Sequence, residues 1–261
     1  MQKKLWVILL TVIVFLSGAT LGISTVYRVD SVTLNTWLVS DEAKEAATLL
    51  QTQLEQEYEK DSIFFVNDKK AEEVVKAFPY FRISAFKKSY PNRLIIDVTE
   101  NAEVYAIEVV EEEEYYILAS DGTTLGRRNT HVNGLNGEEN VILKGLNVTA
   151  VSGEVPKGDE CFLSVLELCQ ELSLLFDGIR RNVVSVEVYT RAPEMIYRIV
   201  MREGVCVYIG NPTAFMKEKT LEAVNAYTGL SNEQKTRGQI VVSDNNGEIF
   251  TSYSEKDLFL N

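Results

Sequence analysis

Asp61-Ser62-Ile63-Phe64-Phe65-Val66-Asn67-Asp68 opens the forty residues that decide the fold, and Ile96-Asp97-Val98-Thr99-Glu100 closes them. Between lie a short amphipathic helix ending at Phe78-Pro79-Tyr80-Phe81, a strand through Phe86-Lys87-Lys88 and a turn at Tyr90-Pro91-Asn92-Arg93. Asn67 or Asp68 is placed to cap that helix, whose inner face is Ala71, Val74, Val75 and Phe78. Pro79 stops it, because proline lacks the amide donor and disfavours helix in the preceding residue. Leu94, Ile96 and Val98 alternate with Ile95, Asp97 and Thr99, which gives a strand with one mostly polar face. Upstream, Val29, Val32 and Leu34 begin another strand, and Ser40 caps a helix with Asp41 and Glu42 in its first turn. Ala43, Ala46, Ala47, Leu50, Leu54 and Tyr58 form one face of that helix. The order is β-α-α-β-β.

Farther toward the N-terminus, Leu5 to Val26 is uncharged and follows Lys3 and Lys4. About 20 apolar residues span a hydrocarbon core, and flanking lysines favour the cytoplasmic side. The stretch is therefore expected to be a transmembrane helix with everything after Arg28 outside. A cleaved signal peptide, with Leu5 to Leu16 as its apolar core and Ser17-Gly18-Ala19 at the cleavage point, is the competing reading. Apolar character continuing past Ala19 favours the anchor.

Downstream, Ala106 to Val110 and Tyr115 to Leu118 read as a hairpin around the acidic run Glu111 to Glu114. Gly122, Gly126, Gly134 and Gly137 punctuate the stretch before Val141-Ile142-Leu143. Phe162, Leu166, Cys169, Leu172 and Phe176 mark a helix; strands follow at Val184–Val188, Ile196–Met201 and Val205–Ile209. Phe215 to Tyr227 can form one more helix, and Gln239–Ser243 and Glu248–Tyr253 flank a turn at Asn245-Asn246-Gly247. The 261 residues suit two modest domains of α+β architecture.

Several chemistries find no support. A net charge of −12 repels phosphate backbones, so nucleic acid is not an expected partner. Cys161, Cys169 and Cys206 show no C-x-x-C spacing and read as free thiols, Cys169 and Cys206 as buried ones. With one histidine, His131, no Cys/His zinc cluster can form, and no metal or cofactor is expected. His131 lies in a glycine-rich loop, Glu111 to Glu114 at a hairpin tip, and Asp244-Asn245-Asn246-Gly247-Glu248 lacks the distal glutamate of a calcium loop. Hence no catalytic residues and no small-molecule substrate are expected. Lys87, Lys88 and Arg93 around the Tyr90-Pro91 turn suit a headgroup or partner contact as well as a solvated strand end.

The ordered series resembles the FtsQ/DivIB family of bacterial cell division proteins. Ser62-Ile63-Phe64-Phe65-Val66-Asn67 fits the family's "N-hydrophobic-F-hydrophobic-D" stretch, and Phe78-Pro79-Tyr80-Phe81 its "x-P-W-V". Ala85-Phe86-Lys87-Lys88 with Tyr90-Pro91-Asn92-Arg93-Leu94 fits "A-x-V-x-R-x-x-P-x-x-L", and Ile96 to Glu100 fits "I-x-V-x-E". Tyr116-Ile117-Leu118 with Asp121-Gly122, Leu143-Lys144-Gly145-Leu146 and Gly204 to Gly210 continue it, followed by a lysine-bearing helix around Lys217 and Lys219. Departures are Tyr80-Phe81 for Trp-Val, Glu103 where proline is common, Ala119 for the first Asp of a hairpin motif, and no acidic residue directly after Ile240.

The resemblance implies a cytoplasmic tail at 1–4, a transmembrane helix at 5–26, a POTRA domain at 27–100, a mixed β-rich domain with helices at 101–253 and a tail at 254–261. It implies a single-pass cell-membrane protein enriched at the division septum. Its function would be that of a non-enzymatic scaffold gathering FtsB/DivIC-like and FtsL-like proteins, with a septal penicillin-binding protein as a further candidate. By position, the partner surface would comprise Ile240, Val242, Ile249, Phe250 and Tyr253. The alternative is a membrane-anchored sensor or adhesion module with a POTRA-like domain.

Overall fold

The computed structural model describes residues 6, 10–14, 25–109, 112–132, 139–191 and 194–256. The chain divides into two compact units, Met1–Glu100 and Asn101–Asn261.

In the first unit, β1 (Ser31–Trp37), α1 (Asp41–Tyr58), α2 (Asp68–Val75), β2 (Phe81–Ser89) and β3 (Arg93–Glu100) form a β-α-α-β-β module. Its sheet runs β1-β3-β2, with β1 parallel and β2 antiparallel to β3. Leu94, Ile96 and Val98 point from β3 into a core filled by Leu50, Leu54 and Tyr58 of α1 and Ala71 and Val75 of α2. Ser40 caps α1 by accepting from the Ala43 amide at 3.2 Å. The Ser40 hydroxyl in turn donates to the Glu100 carboxylate at 2.6 Å, which also accepts the Val39 and Ser40 amides. The last residue of β3 thus fixes the entry of α1, satisfying amides that a helix start leaves over. Asn67 caps α2 by accepting from Lys69, and α2 ends at Val75, four residues before Pro79. The Tyr58 hydroxyl donates to the Asn67 carbonyl at 2.7 Å and accepts from the Ala71 amide at 2.9 Å, locking the first turn of α2 onto the end of α1. The Tyr90–Pro91 bond in the β2–β3 turn is cis.

The second unit is built on a nine-stranded sheet. Its strands are β4 (Glu103–Val109), β5 (Glu114–Ala119), β6 (Thr124–Arg128), β7 (Val141–Lys144), β8 (Val183–Arg191), β9 (Glu194–Met201), β10 (Cys206–Gly210), β11 (Gln239–Asn245) and β12 (Glu248–Ser254). They lie in the order β12-β11-β10-β9-β8-β7-β4-β5-β6. Helices α3 (Phe162–Leu175) and α4 (Met216–Gly229) supply buried side chains to one main core, and a short α5 (Asn232–Lys235) leads into β11. Phe162, Leu166, Cys169 and Leu172 of α3 and Ala223, Val224 and Tyr227 of α4 meet Val186, Tyr197, Ile199, Val207 and Ile209 there. Cys161, Cys169 and Cys206 are all free thiols, Cys161 half-buried and the other two buried.

Among the described residues no helix is long and apolar enough to cross a membrane. This corrects the transmembrane helix expected over Leu5 to Val26. Much of that stretch lies outside the described residues, and its longest described helical run, residues 10–14, is five residues. The expected single-pass cell-membrane localisation, cytoplasmic N-terminus and extracytoplasmic domains rested on that helix and are corrected with it. In the acidic hairpin run, Glu111 lies outside the described residues, while Glu112 and Glu114 are paired with Arg127 of β6. Glu112 and Glu113 at the tip are exposed. Gly134 and Gly137 also lie outside the described residues.

Candidate functional site

The strands β11 and β12 form a hairpin closed by Asn246 and Gly247, both at positive φ (52° and 86°), the signature of a two-residue turn of type I′. In such a hairpin Asn245 and Glu248 exchange both backbone bonds, and pairing alternates outward from there. Ser243↔Phe250, Val241↔Ser252 and Gln239↔Ser254 are then the bonded pairs. The amides and carbonyls of Ile249, Thr251 and Tyr253 consequently face away from β11. Because β12 pairs with β11 alone among the described residues, this row of donors and acceptors lies on an open sheet edge there.

The opposite edge differs. The first residue of β6, Thr124, donates its amide to the Glu154 carbonyl at 2.9 Å and accepts the Gly153 amide at 2.8 Å. Ser152 further donates to the Leu125 carbonyl at 3.3 Å. A turn therefore covers the start of β6, whereas no described residue pairs with the outer edge of the seven-residue β12.

The hairpin is held from behind by Lys219 of α4, whose side chain is fully buried. Its ammonium donates to the carbonyls of Gly210 and Asn211, each at 2.8 Å, and to the Asp244 carboxylate. One side chain thus ties the end of β10, the following loop and the end of β11 together. Lys217, two residues earlier, instead reaches the surface carboxylate of Glu171 at 3.1 Å. At the other end of β11, Gly238 sits at φ +83°, and a Cβ there would collide with the Ser254 carbonyl. Glycine is required at that close approach.

The five residues expected to contact a partner divide between two environments. Ile240 and Val242 are 0% exposed and serve the core, so their side chains are closed to a partner. Ile249 and Tyr253 are half-buried against the same core, and the Tyr253 hydroxyl is shared between the carbonyls of Gln234 and Arg237, both at 3.3 Å. Phe250, 51% exposed, is the apolar side chain of the five that stands free on the other face of β12. Thr251 and Ser252 are also exposed and are not singled out by the sequence pattern. A signal for them exists, since Asn-Gly fixes the register and therefore which backbone groups point outward.

Elsewhere, polar groups build structure. Glu103, at the start of β4, is fully buried, pairs bidentately with Arg128 and accepts from Asn140 at 3.1 Å. Glu187 of β8 accepts from Arg198, Tyr189 and Ser185. Burial works against its ionisation, but those donors hold its carboxyl below the usual range. The His131 ring lies 5.2 Å from that of Tyr115. Among the described residues no group of three or more His, Cys, Asp or Glu is placed to hold a metal ion. No protein-family model matches the chain, and no curated protein matches it.

Proposed function

We propose that this protein is a non-enzymatic scaffold that binds an extended segment of another protein along the outer edge of β12. The observation that carries the reading is the open, rigidly backed edge at Ile249, Thr251 and Tyr253. A partner strand would take up its backbone hydrogen bonds and add a tenth strand, with exposed Phe250 supplying side-chain contact. The ordered motifs shared with the FtsQ/DivIB division proteins support FtsB/DivIC-like and FtsL-like proteins as the partners, and control of septal wall synthesis as the process.

Two measurements test this. Thr251→Pro removes an outward amide without removing a β11–β12 bond, because the Thr251 N–H faces away from β11. It and Phe250→Glu should each weaken capture of an FtsB/DivIC-type partner about tenfold or more, a loss of at least ~1.4 kcal/mol. Undiminished binding by both variants would remove the edge hypothesis. Depletion of the protein should yield filaments lacking septa; normal septation would remove the division assignment while leaving edge binding to be judged on the first result.

A further inference from the structure

A cleft of about 840 Å³ opens in the second unit, beside the short 3-10 turn Ile179–Arg181 that follows α3. Val104, Glu139, Asp177, Arg180, Arg181 and Arg202 are among its walls. Its volume falls in the range of roughly 300–1,000 Å³ typical of small-molecule sites. Three arginines among the walls of one hollow invert the local sign of a chain whose net charge is −12.

Two of these arginines are held in position. Arg202, just past β9 and bonded through its amide to the Asn182 carbonyl, donates from Nε to the Arg180 carbonyl at 2.7 Å and from Nη1 to the Glu139 carboxylate at 2.9 Å. Arg180 donates from Nη1 to the Glu103 carbonyl at 3.0 Å. Arg181 is exposed and makes no ion pair among the described residues. The rim carboxylates Glu139 and Asp177 leave one net positive charge among the ionised walls. A single anionic group engages Arg181 alone, because Arg202 is already paired with Glu139, whereas a ligand with two such groups could occupy Arg181 and also replace Glu139 on Arg202.

We propose that this cleft binds a small polyanion bearing at least two carboxylate or phosphate groups, one on Arg181 and one on Arg202 in exchange for Glu139. Guanidinium forks match both groups in bidentate geometry, so the shared chemistry is that of a planar or tetrahedral oxyanion pair. The site is independent of the β12 edge, and its test does not depend on any partner protein.

Calorimetric titration of the full chain with inorganic pyrophosphate and, separately, with tricarballylate separates phosphate from carboxylate ligands. Inorganic phosphate is the single-group control. Saturable one-site binding of at least one probe is expected, with inorganic phosphate weaker by about tenfold or more. Arg181→Glu should abolish it or weaken it by about tenfold or more, and because Arg181 carries no ion pair among the described residues, its thermal transition should stay near wild type. Glu139→Gln removes the internal competitor and should tighten binding. The proposal is overturned if neither probe binds into the millimolar range, if Arg181→Glu binds like wild type, or if Glu139→Gln weakens binding.

Discussion

Tyr58 shows how much one hydroxyl can organise. Its O–H stands between the Asn67 carbonyl and the Ala71 amide, the two groups that would otherwise close the first turn of α2. Tyr58→Phe should cost about 1–3 kcal/mol, because the buried Ala71 amide and the Asn67 carbonyl both lose their bond. Burial raises the phenol from its ordinary value near 10 to about 12. A raised value means that the folded state holds the proton more tightly, so this contribution is complete below pH 10 and is lost as pH climbs through 12. The stability gap between wild type and Tyr58→Phe in thermal melts should therefore be constant below pH 10 and shrink above it. Lys219→Met should be harsher. It leaves Asp244 and two carbonyls without their donor, at about 3–5 kcal/mol measured by denaturant unfolding. A lysine in register with Ala223 and Tyr227, four and eight residues on, lies on the inner face of α4; that spacing was the available sequence signal. A periodicity argument assigns lysine to solvent by default, so its role emerges only once three chain segments converge on it.

At the scale of elements, alternation and capping were legible and pairing was not. Leu94, Ile96 and Val98 read as a buried face and are one; Ser40 reads as a cap and is one, and of the two candidates Asn67 and Asp68 it is Asn67 that caps α2. β6 escaped because Gly126, Arg127 and Arg128 break any apolar alternation, and it forms because β5 and the 152–154 turn flank it. The parallel contacts of β4 with β7, β7 with β8 and β10 with β11 join segments distant in sequence, for which local pattern carries no information. Of the candidate edge, the hairpin and its turn were legible, but the inward orientation of Ile240 and Val242 depends on α4 lying over that face. The alternation of β12 has a direct test. Ser252→Pro deletes the bond to Val241 and should lower the melting temperature of the full chain well below that of Thr251→Pro, whose amide points outward. Equal melting temperatures would mean that the register is displaced by one residue.

Across the whole molecule, the two units carry separate cores, one around Tyr58, Leu94 and Ile96, the other around Phe162 and Tyr197. Calorimetry should accordingly resolve two transitions, Tyr58→Phe lowering one and Lys219→Met the other; a single transition moved by both would show that the units unfold together. At this scale the apolar N-terminal stretch is where sequence and structure part, since among the described residues no helix is long and apolar enough to cross a membrane. The nine-stranded sheet has one further consequence. Its β6 rim begins with a residue whose amide and carbonyl are both taken by a turn, and among the described residues the β12 rim meets no further strand. If two copies ever joined by these rims, each would use up the other's vacancy, and growth would halt at a pair rather than run on into a fibre.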